Sequence, residues 1–145
     1  MRSFWRACAV WGAALASSAV AQDLGPTVNF KPGLEVLIPV TIADGGVKLG
    51  PPRRSNPGRA TPKDGEIAVS VVKKGLSPYA ELTATEKTTA PVDFVATGLI
   101  GDIKIDEIKV CGRLDQPVVG RIASGSWRIS LNRLTARAGD ATCQP

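Results

Sequence analysis

Apolar and polar residues alternate along much of the chain, which is the pattern of β-strands with one buried face. In the segment LEVLIPVTIA every even-numbered position is apolar: Leu34, Val36, Ile38, Val40 and Ile42. Pro39 lies inside this segment and has no backbone N–H to donate, so we expect the strand at a sheet edge or with a bulge. The glycine pair at 45 and 46 predicts a turn directly after it.

The same alternation predicts further strands in EIAVSVVK, YAELTATEK and PVDFVATGL, and a short one over 118–122. The run DIKIDEIKVC changes phase, because Ile103 and Ile105 have odd numbers whereas Ile108 and Val110 have even numbers. A strand that changes phase needs an extra residue, so we predict a β-bulge at Asp106–Glu107. Two short strands that meet there are the alternative.

The last predicted strand is SWRISLNRL, in which Trp127, Ile129 and Leu131 share one face. This phase predicts that Trp127 packs in the core. The alternative is an exposed tryptophan that serves as a platform for a ligand.

The predicted architecture is all-β. No segment after residue 21 keeps an apolar stripe of helical period over 11 or more residues, and the short strands are separated by turn-forming residues. We therefore predict one small antiparallel β-sandwich domain over 22–145, immunoglobulin-like, with a small barrel as the alternative.

The N-terminal residues 1–21 predict a cleaved secretory signal peptide. Arg2 and Arg6 precede an apolar run that is too short to span a bilayer, and the run ends in the small-residue pattern Ala19-Val20-Ala21. The mature chain is then exported, to the periplasm or the outside, with no transmembrane segment.

Export also decides how the cysteines are interpreted. Cys8 leaves with the signal peptide, so Cys111 and Cys143 remain as a pair. Because export compartments are oxidising and no CxxC spacing is present, we predict a structural disulfide between them rather than a redox or metal site.

Several catalytic chemistries lack their usual residues. The chain has no histidine, the commonest general base and metal ligand, and no glycine-rich phosphate-binding motif. We expect no metal, no cofactor and no nucleic-acid partner. The enzymatic alternative is a small hydrolase or lyase that uses Asp102, Asp106 and Glu107, and the same carboxylates are the candidates for a Ca²⁺ site.

The net charge of the predicted mature chain resides in one segment. Removing two arginines from 18 basic and 13 acidic residues leaves 16 − 13, or +3. Residues 45–66 carry five basic residues and two acidic ones, 5 − 2, which is also +3. Their glycines and prolines predict a flexible loop outside the sheet. It is either a solvated connection whose charges serve solubility or a basic arm that docks on an anionic partner.

These observations favour an exported, non-enzymatic binding or accessory module that contacts an envelope component or another protein. The candidate binding residues for an anionic partner are Arg53, Arg54, Arg59 and Lys63, since arginine suits phosphate and carboxylate groups. The remaining alternative is a structural subunit that pairs through a sheet edge.

Overall fold

The structure, a computed structural model, describes residues 25–114, 116–139 and 141–143. The predicted signal peptide, residues 1–21, lies outside the described residues. None of the described residues belongs to a helix that is long and apolar enough to cross a membrane.

The described residues form ten β-strands and no helix. In chain order the strands are β1 (Val28–Phe30), β2 (Glu35–Ala43), β3 (Gly46–Leu49), β4 (Arg53–Ser55), β5 (Glu66–Lys73), β6 (Tyr79–Lys87), β7 (Val92–Ile100), β8 (Ile103–Val110), β9 (Val118–Ala123) and β10 (Arg128–Ala136). The all-β prediction is confirmed.

The strands pair into two antiparallel sheets. One has the order β1-β10-β7-β8, and the other has the order β3-β2-β5-β6-β9, with β4 also paired to β2. The core contains residues of both sheets, and the predicted alternation holds at its centre. Side chains that are fully buried there include Ile38, Ile67, Val69, Leu82, Phe94, Ile129 and Leu131.

The prediction that β2 is an edge strand or carries a bulge is wrong. β2 pairs with β5 on one side and with β3 and β4 on the other, and its register against β5 runs without a shift from Glu35 to Pro39. The carbonyl of Pro39 accepts the N–H of Gly50 at 2.8 Å. The proline nitrogen faces the same side. It lies between the residues of β2 that pair with β4 and those that pair with β3, so no ladder hydrogen bond requires an N–H from Pro39.

A tight hairpin turn connects β2 to β3. Its two central residues, Asp44 and Gly45, have φ angles of 52° and 73°. Positive φ at both positions is the geometry of a type I′ turn, which Asp-Gly favours. The predicted turn is therefore present, one residue earlier than the glycine pair indicated.

The phase change in β8 is a β-bulge, as predicted, but it lies at Ile105. Gly98 pairs with Asp106 and Leu99 pairs with Lys104, so Ile105 is the extra residue. Beyond the bulge, Val110 points into the core, whereas Ile103 before it is 70% exposed.

The bulge also sets the direction of Asp106, which lies on the core side of β8. Its Oδ2 accepts the backbone N–H of Ala123 in β9 at 2.7 Å. β8 and β9 end different sheets, so this carboxylate joins the two sheets along one side of the molecule.

The prediction that residues 45–66 are a loop outside the sheet is wrong for two stretches, because β3 and β4 both pair with β2. Neither strand has a second neighbour in its sheet. Edge strands need only half of their backbone groups paired, so a segment rich in glycine and proline can still form them.

The prediction that Trp127 packs in the core is also wrong, since its side chain is 71% exposed. β10 begins at Arg128, and Trp127 belongs to the turn before it. The buried Ser126 takes the place at the end of the core instead, and its hydroxyl lies where a Cβ at Gly98 would be. The buried space beside Gly98 is therefore filled by the small side chain of Ser126, and the indole of Trp127 lies outside it.

Candidate functional site

Four connections lie at one end of the molecule, which we call the tip end. They are the β1–β2 turn (31–34), the β5–β6 loop (74–78), the β7–β8 hairpin turn (101–102) and the β9–β10 turn (124–127). Backbone hydrogen bonds link neighbouring connections: Ser124 N–H donates to the carbonyl of Pro78, and Trp127 N–H donates to the carbonyl of Leu99.

A groove of about 400 Å³ lies between the two sheets at the tip end, and we call it the cationic groove. It is lined by Asn29, Phe30, Lys31, Leu34, Arg54, Trp127 and Arg128. Three lining residues carry a positive charge and none carries a negative charge. The indole of Trp127 and the rings and alkyl groups of Phe30 and Leu34 supply an apolar wall.

Strand pairing explains how Arg54 reaches the groove. Arg54 pairs with Val36, whose side chain faces the core, whereas Arg53 pairs with Leu37 on the opposite face of β2. Successive side chains of a strand point to opposite faces, so the two consecutive arginines separate. Arg54 lines the groove, and Arg53 bonds Glu66 at 2.7 Å instead.

The charges of the groove are only partly compensated. Arg128 donates from Nη2 to the carbonyl of Gly101 at 2.9 Å and to Asp102 Oδ1 at 3.2 Å, which holds its side chain against the hairpin turn. Its Nε is buried and has no hydrogen-bond acceptor among the described residues. Lys31 and Arg54 form no ion pair with an acid in the part of the chain that the structure describes.

The basic residues predicted from the sequence therefore separate into different environments. Arg54 lines the groove, and Arg53 is paired with Glu66. The side chain of Arg59 is exposed on the connection from β4 to β5. Lys63 lies near the end of that connection, where its backbone N–H donates to Glu66 Oε2 at 2.9 Å.

Two carboxylates anchor the connection from β4 to β5 to the outer face of the sheet. Gly58 N–H donates to Glu35 Oε2 at 3.3 Å, and Glu66 accepts from Lys63 and from Arg53. The hydrogen bond from the Lys63 backbone, followed by the bond from Arg53, lowers the pKa of Glu66 below its usual range. These contacts explain why Leu37, which faces away from the core, is only 1% exposed.

The candidate catalytic carboxylates each have a different partner. Asp102 contacts Arg128 at the tip end, Asp106 accepts from Ala123 and from the N–H of Glu107, and Glu107 pairs with Lys104 at 3.4 Å. Asp106 and Glu107 are also consecutive and point to opposite faces of β8.

The opposite end of the molecule, the disulfide end, is built around the Cys111–Cys143 bond, whose Cα atoms are 5.7 Å apart. The predicted disulfide is confirmed. Asp93 lies beside it, with a carboxylate oxygen within 4.8 Å of both sulfurs. This group cannot act as a thiolate metal site because both sulfurs are in the disulfide. Asp93 instead accepts from Gly112 N–H at 2.9 Å and forms an ion pair with Arg137 at 3.2 Å.

Glu86 is a buried acid that the sequence pattern did not single out. It is 2% exposed, it faces the core from β6, and its Oε2 accepts the N–H of Val92 at 3.1 Å. Burial raises the pKa of Glu86 to about 7, with Asp93 adding to the rise and the Val92 hydrogen bond and Arg137 opposing it. Its Oε1 is buried without a partner among the described residues. Glu86 also lines a cavity of about 500 Å³, together with Asp64, Lys87 and Leu114.

Sequence reasoning missed Lys31 and Arg128 as groove residues. Both are single cations next to apolar positions, and only the pairing of β1 with β10 brings them together. The sequence did contain one signal for an exposed Trp127, because the turn-forming residues Ser124, Gly125 and Ser126 come directly before it.

No protein-family model, no curated protein and no solved structure matches the chain.

Proposed function

We propose that this protein is an exported binding module and that the cationic groove holds an anionic group of an envelope component. The proposed export follows from the predicted signal peptide at 1–21, and the proposed scaffold is an immunoglobulin-like sandwich. The observation that carries the proposal is the convergence of Lys31, Arg54 and Arg128 beside the exposed Trp127.

The groove suits a ligand with two kinds of surface. Arginine presents several N–H donors in one plane, so Arg54 and Arg128 suit the oxygens of a phosphate, sulfate or carboxylate group. Trp127 offers a flat apolar face on which a sugar ring or a lipid glycerol region packs. Because Lys31 and Arg54 have no acid partner among the described residues, a bound anion would not have to displace an existing ion pair there.

Titration with a soluble polyanion tests this proposal. We expect a heparin oligosaccharide to bind the exported chain, and the Lys31→Ala/Arg54→Ala variant to bind about tenfold or more weakly at low salt. The matched control is Lys48→Ala/Arg59→Ala, which removes two exposed cations outside the groove. Calorimetry at two salt concentrations measures both variants.

The proposal fails if the groove variant and wild type bind equally. It also fails if Lys48→Ala/Arg59→Ala weakens binding as much as the groove variant does, because the interaction would then depend only on net charge.

A further inference from the structure

The turns at the tip end carry apolar side chains where polar residues are usual. Leu76, in the β5–β6 loop, is 102% exposed, and Ile103, beside the β7–β8 turn, is 70% exposed. Trp127, in the β9–β10 turn, is 71% exposed. Turns normally carry glycine, proline, asparagine, aspartate and serine, so large apolar side chains on neighbouring turns indicate a contact surface.

Strand pairing puts these side chains at the same end. Ala123 at the end of β9 pairs with Tyr79 at the start of β6, which brings the β9–β10 turn beside the loop that carries Leu76. Arg128 pairs with Leu99, which brings Trp127 beside the hairpin that carries Ile103. The three apolar residues therefore project from adjacent turns.

Positive charges accompany the apolar residues at this end. They are Lys31, Arg54, Lys73, Lys74, Lys104 and Arg128. Three of them have acid partners, because Lys74 pairs with Glu81, Lys104 with Glu107 and Arg128 with Asp102. Lys31, Arg54 and Lys73 form no ion pair among the described residues. Exposed apolar side chains surrounded by cations are complementary to a surface that is negatively charged outside and apolar beneath.

We propose that the tip end docks on a bilayer that contains anionic phospholipid, with Leu76, Ile103 and Trp127 entering the interface while the cationic groove holds a headgroup phosphate. This inference rests on the proposed function and names its ligand. A bilayer suits separate apolar tips because it adapts to their shape, whereas a protein partner needs a complementary surface. Tryptophan is also enriched at the level of the headgroups.

Vesicle binding tests the proposal. The full chain is produced in an exporting host, the processed product is identified by mass, and its partition is measured on phosphatidylcholine vesicles with and without phosphatidylglycerol. We expect binding that requires phosphatidylglycerol and falls with salt. Leu76→Ser/Ile103→Ser should lower the partition coefficient about tenfold or more, because two apolar side chains no longer enter the interface.

Two controls separate insertion from general surface effects. Val119→Ser removes an apolar side chain that is 60% exposed near the start of β9, away from the tip end, and we expect it to leave vesicle binding unchanged. Trp127 emission provides a measurement that needs no variant: it should shift to shorter wavelength with phosphatidylglycerol vesicles, provided that processing has removed Trp5 and Trp11.

Each outcome decides the proposal. Equal vesicle binding by wild type and Leu76→Ser/Ile103→Ser, or no binding by wild type, overturns membrane docking. If heparin binding through Lys31 and Arg54 persists in that case, the proposed function stands and its ligand is another anion. If heparin binding is absent as well, both proposals fail.

Discussion

The two ends of the molecule contain charged residues in opposite settings. At the disulfide end, Glu86, Asp93 and Arg137 lie beside a covalent bond, and each contacts other groups of the protein, while Glu86 Oε1 and Arg137 Nε have no hydrogen-bond partner among the described residues. At the tip end, Lys31, Arg54 and Trp127 face outward. Groups satisfied internally contribute to folding, whereas groups left unpaired at a surface are available for binding.

This difference predicts that substitutions at the two ends have different consequences. Changes at the disulfide end should alter the free energy of unfolding and leave anion binding intact. Changes at the tip end should do the reverse.

Among changes at the disulfide end, the largest effect on stability is expected from the disulfide itself. Cys111→Ser/Cys143→Ser should lower the free energy of unfolding by about 3 to 4 kcal/mol, since the bond closes a long loop in the unfolded chain. Urea unfolding of the double variant measures this loss. A loss below about 1 kcal/mol would contradict this loop-closure account of the bond's contribution.

Glu86 should make stability depend on pH. Its pKa is raised from 4.5 to about 7 by burial, so the folded state holds a proton that the unfolded state releases over this interval. The free energy of unfolding should therefore fall as the pH rises from about 4.5 to about 7, by up to ~3 kcal/mol, and then level off.

Glu86→Gln should remove this dependence, because an amide does not ionise. Urea unfolding at pH 5 and pH 8 compares the variant with wild type, and Glu81→Gln, which replaces a more exposed acid on the same strand, is the control. A wild-type slope that persists in Glu86→Gln would assign the pH dependence to other groups.

The smallest effect on stability is expected at Trp127. Trp127→Ser should change the free energy of unfolding by less than about 1 kcal/mol, because most of the indole is already in water. Leu131→Ala, at a fully buried position of the same strand region, should cost about 2 to 5 kcal/mol. A large decrease in the free energy of unfolding of Trp127→Ser would mean that the tip end, too, contributes to the stability of the fold.

Much of the strand pattern was predictable because alternation is local. EIAVSVVK and YAELTATEK coincide with β5 and β6. The phase change in DIKIDEIKVC correctly predicted a bulge, yet its position at Ile105 depends on the pairing with β7. Of the two consecutive arginines proposed for anion binding, Arg54 lines the groove and Arg53 pairs with Glu66, and alternation along the chain did not separate them.

The errors share one cause, which is that the neighbours of a residue are chosen across the sheets. Pro39 implied an edge strand, but β4 pairs with β2 before Pro39 and β3 pairs with β2 after it. Trp127 had the phase of the core, but the core ends at Ser126. Periodicity predicts which residues of a strand share a face. It does not predict where along the chain that face stops being buried by the rest of the protein.

The sequence by itself determined the all-β class, the strands that alternate and the cysteine pair, because each depends on side-chain order or on residue identity alone. Only the tertiary structure decided that Lys31, Arg54, Trp127 and Arg128 meet in one groove and that Glu86 is buried. Those outcomes depend on which strands pair and in what register, and the free energy of pairing is shared among residues far apart in the chain.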